Sequence, residues 1–131
     1  MRDAVAARPE LDLASRLVGR HGGEHPGPTL IAVGGIHGNE PAGLIAARRV
    51  FTALRDARVS LRGDFVALRG NLGALALGRR FRHKDLNRQW TDARIAALRA
   101  QTPDADDEED AEQRDLLAAF DEALGRALAD V

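Results

Sequence analysis

The feature that most constrains the fold is an apolar run followed at once by a glycine-rich turn and then by a helical pattern. Residues 30–33 read Leu-Ile-Ala-Val, which is typical of a strand buried on both faces of a parallel sheet. After the turn at residues 34–43, apolar side chains recur at helical spacing, namely Leu44, Ala47, Phe51 and Leu54. The sequence therefore predicts a strand, a turn and a helix that packs on the sheet.

A second strand is predicted at residues 64–69, after a polar connection at residues 57–63. Strand, helix and strand then form one βαβ unit whose strands are parallel. Asn71, which follows the second strand, should lie at the same carboxyl edge of the sheet as the first turn. In open α/β sheets this edge is where ligands bind.

The remaining segments are predicted from local patterns. Residues 14–20 suit an edge strand, residues 21–28 a turn-rich link and residues 72–86 an irregular segment, with Trp90 as a packing anchor. A short helix should begin at an N-cap formed by Thr91 or Asp92. Residues 102–112 are acidic and predict a solvated loop. The last helix has an apolar face made of Leu116, Leu117, Phe120, Ala123, Leu124, Ala127 and Leu128.

Composition excludes several classes of protein. The chain has 131 residues, a single-domain length, and contains no cysteine, so a disulfide scaffold and a thiolate-bound zinc are excluded. Nineteen basic and 20 acidic residues give a net charge of -1, which favours neither nucleic acid nor an anionic membrane as a partner. No apolar span or signal peptide is evident, which predicts a cytoplasmic protein.

His37 and Glu40 lie three residues apart in the first turn and offer a nitrogen and an oxygen donor. Both are ordinary zinc ligands at about 2 Å from the metal. By itself the pair is a weak signal, and a surface turn whose His and Glu face solvent is favoured over a metal site. A phosphate cradle fits less well, because no Gly-Lys-Ser/Thr ending is present and an acidic residue occupies the turn.

Two other segments carry chemistry-bearing side chains. His21 and His25 flank a glutamate in a flexible Gly/Pro link, where a solvated loop is favoured over a metal site. Residues 78–88 contain a basic run, which predicts a surface loop. Nucleic-acid binding is the weaker alternative for that run, since stacking aromatic residues are not interleaved with it.

Taken together, the segments resemble the succinylglutamate desuccinylase and aspartoacylase family, relatives of the zinc carboxypeptidases. The matching motifs are Gly35-Ile36-His37-Gly38-Asn39-Glu40, then Gly70-Asn71, Arg80-Phe81 and Asp85-Leu86-Asn87-Arg88. Members hydrolyse the amide bond of N-acyl amino acids with one zinc ion. The resemblance implies an α/β fold in which a βαβ-based sheet with parallel strands is flanked by helices, the N-terminal part of a zinc carboxypeptidase-like fold.

The resemblance also implies roles for individual residues. His37 and Glu40 correspond to two zinc ligands. Arg80 corresponds to the arginine that stabilises negative charge on the scissile carbonyl. Asn87 and Arg88 correspond to the pair that holds the substrate carboxylate, for which a planar guanidinium is well suited. The implied partner is a small N-acyl amino acid.

Three further positions follow from the same resemblance. Asp85 is expected to orient the neighbouring arginines, and Asn71 to shape the substrate pocket. Phe81 stands where the family usually has a tyrosine, so a hydroxyl is missing there.

The family's third zinc ligand and general base come later than Val131. The resemblance therefore implies that residues 1–131 form an incomplete catalytic domain that is nearly inactive alone. An uncovered apolar face on its last helix would favour a homo-oligomer. Two other functions stay open from the sequence: a carboxypeptidase-like peptidase, and a non-catalytic module that binds carboxylates without zinc.

Overall fold

A computed structural model describes the backbone of residues 12–129 and the side chains of residues 12–125. Within these residues, three strands and four α-helices follow one another as β1 (Leu17–Gly22), β2 (Thr29–Gly34), α1 (Ala42–Asp56), β3 (Asp64–Arg69), α2 (Leu72–Leu77), α3 (Asp92–Ala100) and α4 (Glu108–Ala129). Short 3-10 turns occur at Leu86–Arg88 and Pro103–Ala105. Across the described part of the chain, every helix is too short or too polar to span a membrane.

The strands form one sheet in the order β1-β3-β2. β2 and β3 are parallel, with Thr29 opposite Asp64 and Gly34 opposite Arg69, which confirms the predicted pair. β1 lies antiparallel to β3 on the other side, with Gly22 opposite Asp64. The predicted edge strand is therefore present, although it begins at residue 17 rather than 14. The arrangement confirms the α/β class.

The strand that is buried on both faces is β3, and the prediction that β2 would be so was wrong. Leu30 in β2 is 65% exposed, because β2 is an edge strand of the described sheet. In β3, by contrast, Val66 and Leu68 face one apolar cluster while Ala67 faces another. A central strand has helices over both faces, whereas the edge strand is only partly covered.

Helix α1 covers one face of the sheet along the predicted apolar stripe. Leu44 is fully buried beside Ala67, and Phe51 stacks on Phe65 with ring centroids 4.9 Å apart. Helix α4 covers the other face through Leu116, which is fully buried, and Phe120, whose ring lies 5.7 Å from that of Trp90. Trp90 is thus a packing residue as predicted. The predicted stripe positions Ala127 and Leu128 lie outside the residues whose side chains are described.

Two local predictions were wrong. Residues 72–77 form helix α2, where an irregular segment was expected, because the Asn71 side chain accepts a hydrogen bond from Ala74 N and caps the helix. Gly78, with φ +64°, ends it in the left-handed conformation. Helix α4 begins at Glu108, inside the segment predicted to be a solvated acidic loop. Helix α3 begins as predicted, with Thr91 Oγ1 accepting from Arg94 N.

Candidate metal and substrate site

His37 and Glu40 lie in the turn between β2 and α1, at the carboxyl edge of the sheet. The Glu40 N–H donates to the His37 carbonyl at 3.1 Å, so the turn is closed by its own backbone. His37 Nδ1 and Glu40 Oε2 are 3.4 Å apart. The imidazole is largely buried, whereas the Glu40 side chain is 63% exposed. As potential metal ligands, His37 therefore offers a buried nitrogen and Glu40 an oxygen that is accessible from solvent.

The other ring nitrogen of His37 is held by a residue from a distant part of the chain. His37 Nε2 lies 2.9 Å from Asp85 Oδ1. Burial by itself would raise the pKa of Asp85, but bonds from His37 and the Asn87 N–H, with the nearby charge of Arg80, hold it below its ordinary value. Asp85 is thus ionised at neutral pH and can only accept, so its hydrogen bond with His37 requires a ring proton on Nε2. The other ring nitrogen, Nδ1, faces the Glu40 carboxylate.

The two side chains are within hydrogen-bond distance of each other, and an imidazole nitrogen with a carboxylate oxygen is also a pair of ligand atoms that suits zinc. Imidazole nitrogen and carboxylate oxygen on one tetrahedral zinc lie about 3.3 Å from each other, given ligand distances of about 2 Å. The observed 3.4 Å separation matches that value. A carboxylate on the remote ring nitrogen is also the usual support of a metal-binding histidine. Within residues 12–125, however, no group of three or more His, Cys, Asp or Glu side chains is placed to hold a metal ion.

The loop at residues 79–88 docks against the His37 turn. The Gly38 N–H donates to the Arg80 carbonyl at 3.2 Å. The Arg80 guanidinium is half-exposed and lies 3.6 Å from Asp85 Oδ2 and 3.9 Å from Glu40 Oε1. Asp85 therefore contacts one of the arginines that it was predicted to orient, and the structure brings Arg80 to the edge of the candidate metal pair.

Asn87 and Arg88 lie next to this group on the 3-10 turn Leu86–Arg88. Asp85 caps the turn by accepting from the Asn87 N–H at 2.9 Å, and Leu86 anchors it in the core with no exposed surface. Asn87 and Arg88, which are predicted to hold the substrate carboxylate, are both exposed to solvent. Their contact with a substrate carboxylate stays a prediction, but the structure gives them a fixed backbone and an accessible position.

Asn71 lies at the predicted edge of the sheet but not on its surface. Its backbone N–H donates to the Gly35 carbonyl at 2.9 Å, which joins the end of β3 to the turn after β2. Its side chain is fully buried, accepting from Ala74 N and donating to Glu109 at 2.9 Å. Its role in substrate binding stays a prediction. In the structure both polar atoms of its amide have protein partners.

The sequence-based prediction missed the acidic residues that hold the loop. Glu109, on the first turn of α4, is fully buried and accepts hydrogen bonds from the backbone N–H groups of residues 82–84. Glu112, one turn later, accepts from Gly73 N and from the guanidinium of Arg16. These carboxylates are partnered rather than solvated, and that is why the acidic segment is ordered.

One sequence signal could have revealed this helix. Asp107 and Asp110 each accept a hydrogen bond from the other's backbone N–H, at 2.8 and 3.1 Å. This reciprocal pattern is a capping box, and the Asp-x-x-Asp spacing is visible in the sequence. The acidic segment could therefore have been recognised as a helix N-terminus.

The basic run pairs with this acidic segment. Lys84 Nζ lies 2.5 Å from Asp110 and 3.1 Å from Asp107, and Arg82 lies 3.3 Å from Glu112. Charges neutralised in this way are poor attractants for phosphates, which weakens the nucleic-acid alternative for residues 78–88.

Comparison with known proteins shows to which family the chain belongs. The profile of the succinylglutamate desuccinylase/aspartoacylase catalytic domain matches residues 26–131, most of the chain. The chain belongs to this family. The matched range includes the His37 turn, the docked loop and α4. No solved structure matches the chain at a significant level.

Two succinylglutamate desuccinylases are among the similar proteins. The protein from Photorhabdus laumondii is 34% identical over 62 residues, and that from Erwinia tasmaniensis is 36% identical over 61 residues. Each alignment covers 47% of this chain but only 19% and 18% of the respective relative. The chain therefore corresponds to a minor part of those desuccinylases.

Lowering the pH should destabilise the protein at the first turn of α4, where Glu109 and Asp110 lie. Burial by itself would raise the pKa of Glu109, but bonds from Asn71 and from the backbone of residues 82–84 outweigh it and lower that pKa. The pKa of Asp110 is lowered in the same way, since bonds from Lys84, the Asp107 N–H and Gln101 together outweigh the effect of burial. Such carboxylates stabilise the fold above their unfolded pKa of about 4, and the contribution is lost as pH falls through the folded value.

Urea unfolding at a series of pH values should therefore show a steep loss of free energy below about pH 4. The loss should be shallower in Glu109→Gln, which has no carboxyl to protonate there. An unfolding free energy that stays constant down to about pH 2 would contradict the expectation.

Proposed function

We propose that the protein acts as a zinc-dependent hydrolase of the amide bond of N-acyl amino acids. Family membership supports a hydrolase of the desuccinylase and aspartoacylase type. The observation that carries the zinc assignment is the facing pair of His37 Nδ1 and Glu40 Oε2, with Asp85 on the opposite ring nitrogen. The fold of the complete catalytic domain is then of the zinc carboxypeptidase type.

In this proposal His37 and Glu40 hold the metal, which when bound lowers the pKa of a water molecule and polarises a carbonyl. Asp85 keeps the His37 ring in the tautomer that leaves Nδ1 available. Arg80 is half-exposed beside Glu40, so its guanidinium can stabilise the negative charge that develops on the acyl oxygen. Asn87 and Arg88 bind the carboxylate of the amino acid and orient the amide bond.

The third metal ligand and the general base come, in this proposal, from outside the described residues. Residues 12–125 bring only two of the usual three protein ligands together. We therefore expect residues 1–131 alone to hydrolyse N-acyl amino acids more than about tenfold more slowly than a complete family member. A rate within about tenfold of a complete member would show that the site needs no further residues.

The zinc assignment is tested by metal affinity, measured by competition with a chromophoric chelator. His37→Ala should weaken zinc binding by about tenfold or more, because it removes the fixed donor of the pair. His25→Ala is the matched control, since that histidine is exposed and lies outside the site. Equal affinity in wild-type protein and His37→Ala would overturn the assignment.

Substrate class is tested with a panel of N-acyl amino acids and short peptides. Hydrolysis of N-acyl amino acids that is lost with a chelator and restored by zinc supports the proposal. Preferential cleavage of peptides would favour the carboxypeptidase-like alternative. Carboxylate binding that survives both the chelator and His37→Ala, without hydrolysis, would favour a non-catalytic binding module.

A further inference from the structure

The Glu109 carboxylate accepts four hydrogen bonds from N–H groups of the protein. Its Oε1 accepts from the backbone N–H groups of His83 and Lys84, at 2.7 and 3.0 Å. Its Oε2 accepts from the Arg82 N–H at 3.0 Å and from Asn71 Nδ2 at 2.9 Å. Glu109 has no exposed surface. Four hydrogen bonds to one buried charge are strong, since bonds to an ionised acceptor are about twice as strong as neutral ones.

The three backbone donors lie in the middle of the loop that carries the candidate substrate residues. Arg80 precedes them, and the turn with Asn87 and Arg88 follows them. The only fully buried apolar side chain of this loop is Leu86, after the bound segment. Glu109 therefore holds the backbone of residues 82–84, whereas Asp107, Asp110 and Glu112 pair only with side chains of this segment.

Glu109 also joins the loop to the sheet. Asn71, its fourth donor, lies two residues after β3 and bonds through its backbone to Gly35, two residues before His37. The carboxylate thus connects α4, the carboxyl edge of the sheet and the loop. A neutral amide at this position would direct its NH₂ group at N–H donors and leave buried donors unpaired, which is costly.

We propose that Glu109 is a positioning residue, whose carboxylate sets the conformation of residues 82–84 and thereby aims Arg80 at the acyl oxygen and Asn87 and Arg88 at the substrate carboxylate. The inference rests on the proposed function of those three residues. Glu109 itself is fully buried and does not touch substrate.

The test compares Glu109→Gln with Glu112→Gln. Glu112 is a buried carboxylate on the same helix, but it accepts from Gly73 N and from the side chains of Arg16 and Arg82, not from the backbone of residues 82–84. Both variants should lose stability. Only Glu109→Gln should speed hydrogen exchange at residues 82–84 by more than about tenfold while exchange in β3 changes no more than in Glu112→Gln.

Binding of N-succinylglutamate, measured by calorimetry on zinc-free protein, is the functional readout. Glu109→Gln should raise its Kd by more than about tenfold, and Glu112→Gln by less than about twofold. Glu109→Asp, which keeps the charge but is shorter, should fall between wild type and Glu109→Gln. This variant also decides the matter if Glu109→Gln does not fold.

The possible failures are distinguishable. If wild-type protein binds no N-succinylglutamate, the proposed role of Arg80, Asn87 and Arg88 in substrate binding is overturned. If wild-type protein binds it and the Glu109 variants bind equally well, only the positioning role is overturned. If the Kd rises as much in Glu112→Gln as in Glu109→Gln, the positioning role is likewise overturned, and Glu109 only stabilises the fold.

Discussion

Gly38→Ala should destabilise the protein by roughly 3 kcal/mol or more and separate the His37 turn from the docked loop. A Cβ at this position would lie 2.1 Å from the carbonyl carbon of Ala74 and 2.3 Å from the carbonyl oxygen of Arg79. Both are backbone atoms, so no side-chain rotation can make room. The turn must move away from α2, and the hydrogen bond from Gly38 N–H to the Arg80 carbonyl must break.

The measurement is the free energy of unfolding in urea. Gly125→Ala is the matched control, because a Cβ there meets no atom within 4 Å and alanine is the better helix former. We expect Gly125→Ala to leave stability unchanged or to raise it by about 0.5–1 kcal/mol. A Gly38→Ala protein as stable as wild type would mean that the turn and the loop do not approach each other as closely as described.

Leu116→Ala should cost about 2–5 kcal/mol of unfolding free energy. Leu116 has no exposed surface and packs in one cluster with Val66, Leu68 and Leu86, from the central strand and the docked loop. Truncation leaves a cavity between α4 and the sheet. Since the whole stability of a domain is about 5–15 kcal/mol, the variant should lose much of its margin.

Leu124→Ala provides the comparison within the same helix. That leucine is 47% exposed, so its removal should cost less than about 1 kcal/mol. The two variants together measure how firmly α4 is held on the sheet. Similar losses in both would show that the described face of α4 is not the one that packs.

The docking of α4 matters beyond stability, because the same helix carries Glu109. Leu116 and Glu109 lie two turns apart, one in the apolar cluster and the other in the hydrogen-bonded centre of the loop. Packing of the apolar face therefore places the buried carboxylate. In the functional proposal, the substrate-binding side chains depend on a helix that does not itself form the site.

Local patterns in the sequence were sufficient for the elements whose cause is local. The strand at Asp64–Arg69 was predicted with its observed bounds, and α1 was predicted from its apolar stripe. His37 and Glu40 face each other because they belong to one short turn, so their proximity has a local cause, while their role as metal ligands stays a prediction. Family membership also followed from short motifs, whose residues stand in a recognisable order.

Contacts between distant segments were decided by the tertiary structure. Asp85 reaches His37 across 48 positions, and Glu109 reaches the loop across more than 20. The acidic segment looked solvated because the sequence does not show which charges and backbone donors will meet it. Only when α4 packs on the sheet are three N–H groups presented to Glu109, and their hydrogen bonds then offset the cost of burying a charge that in isolation would remain in water.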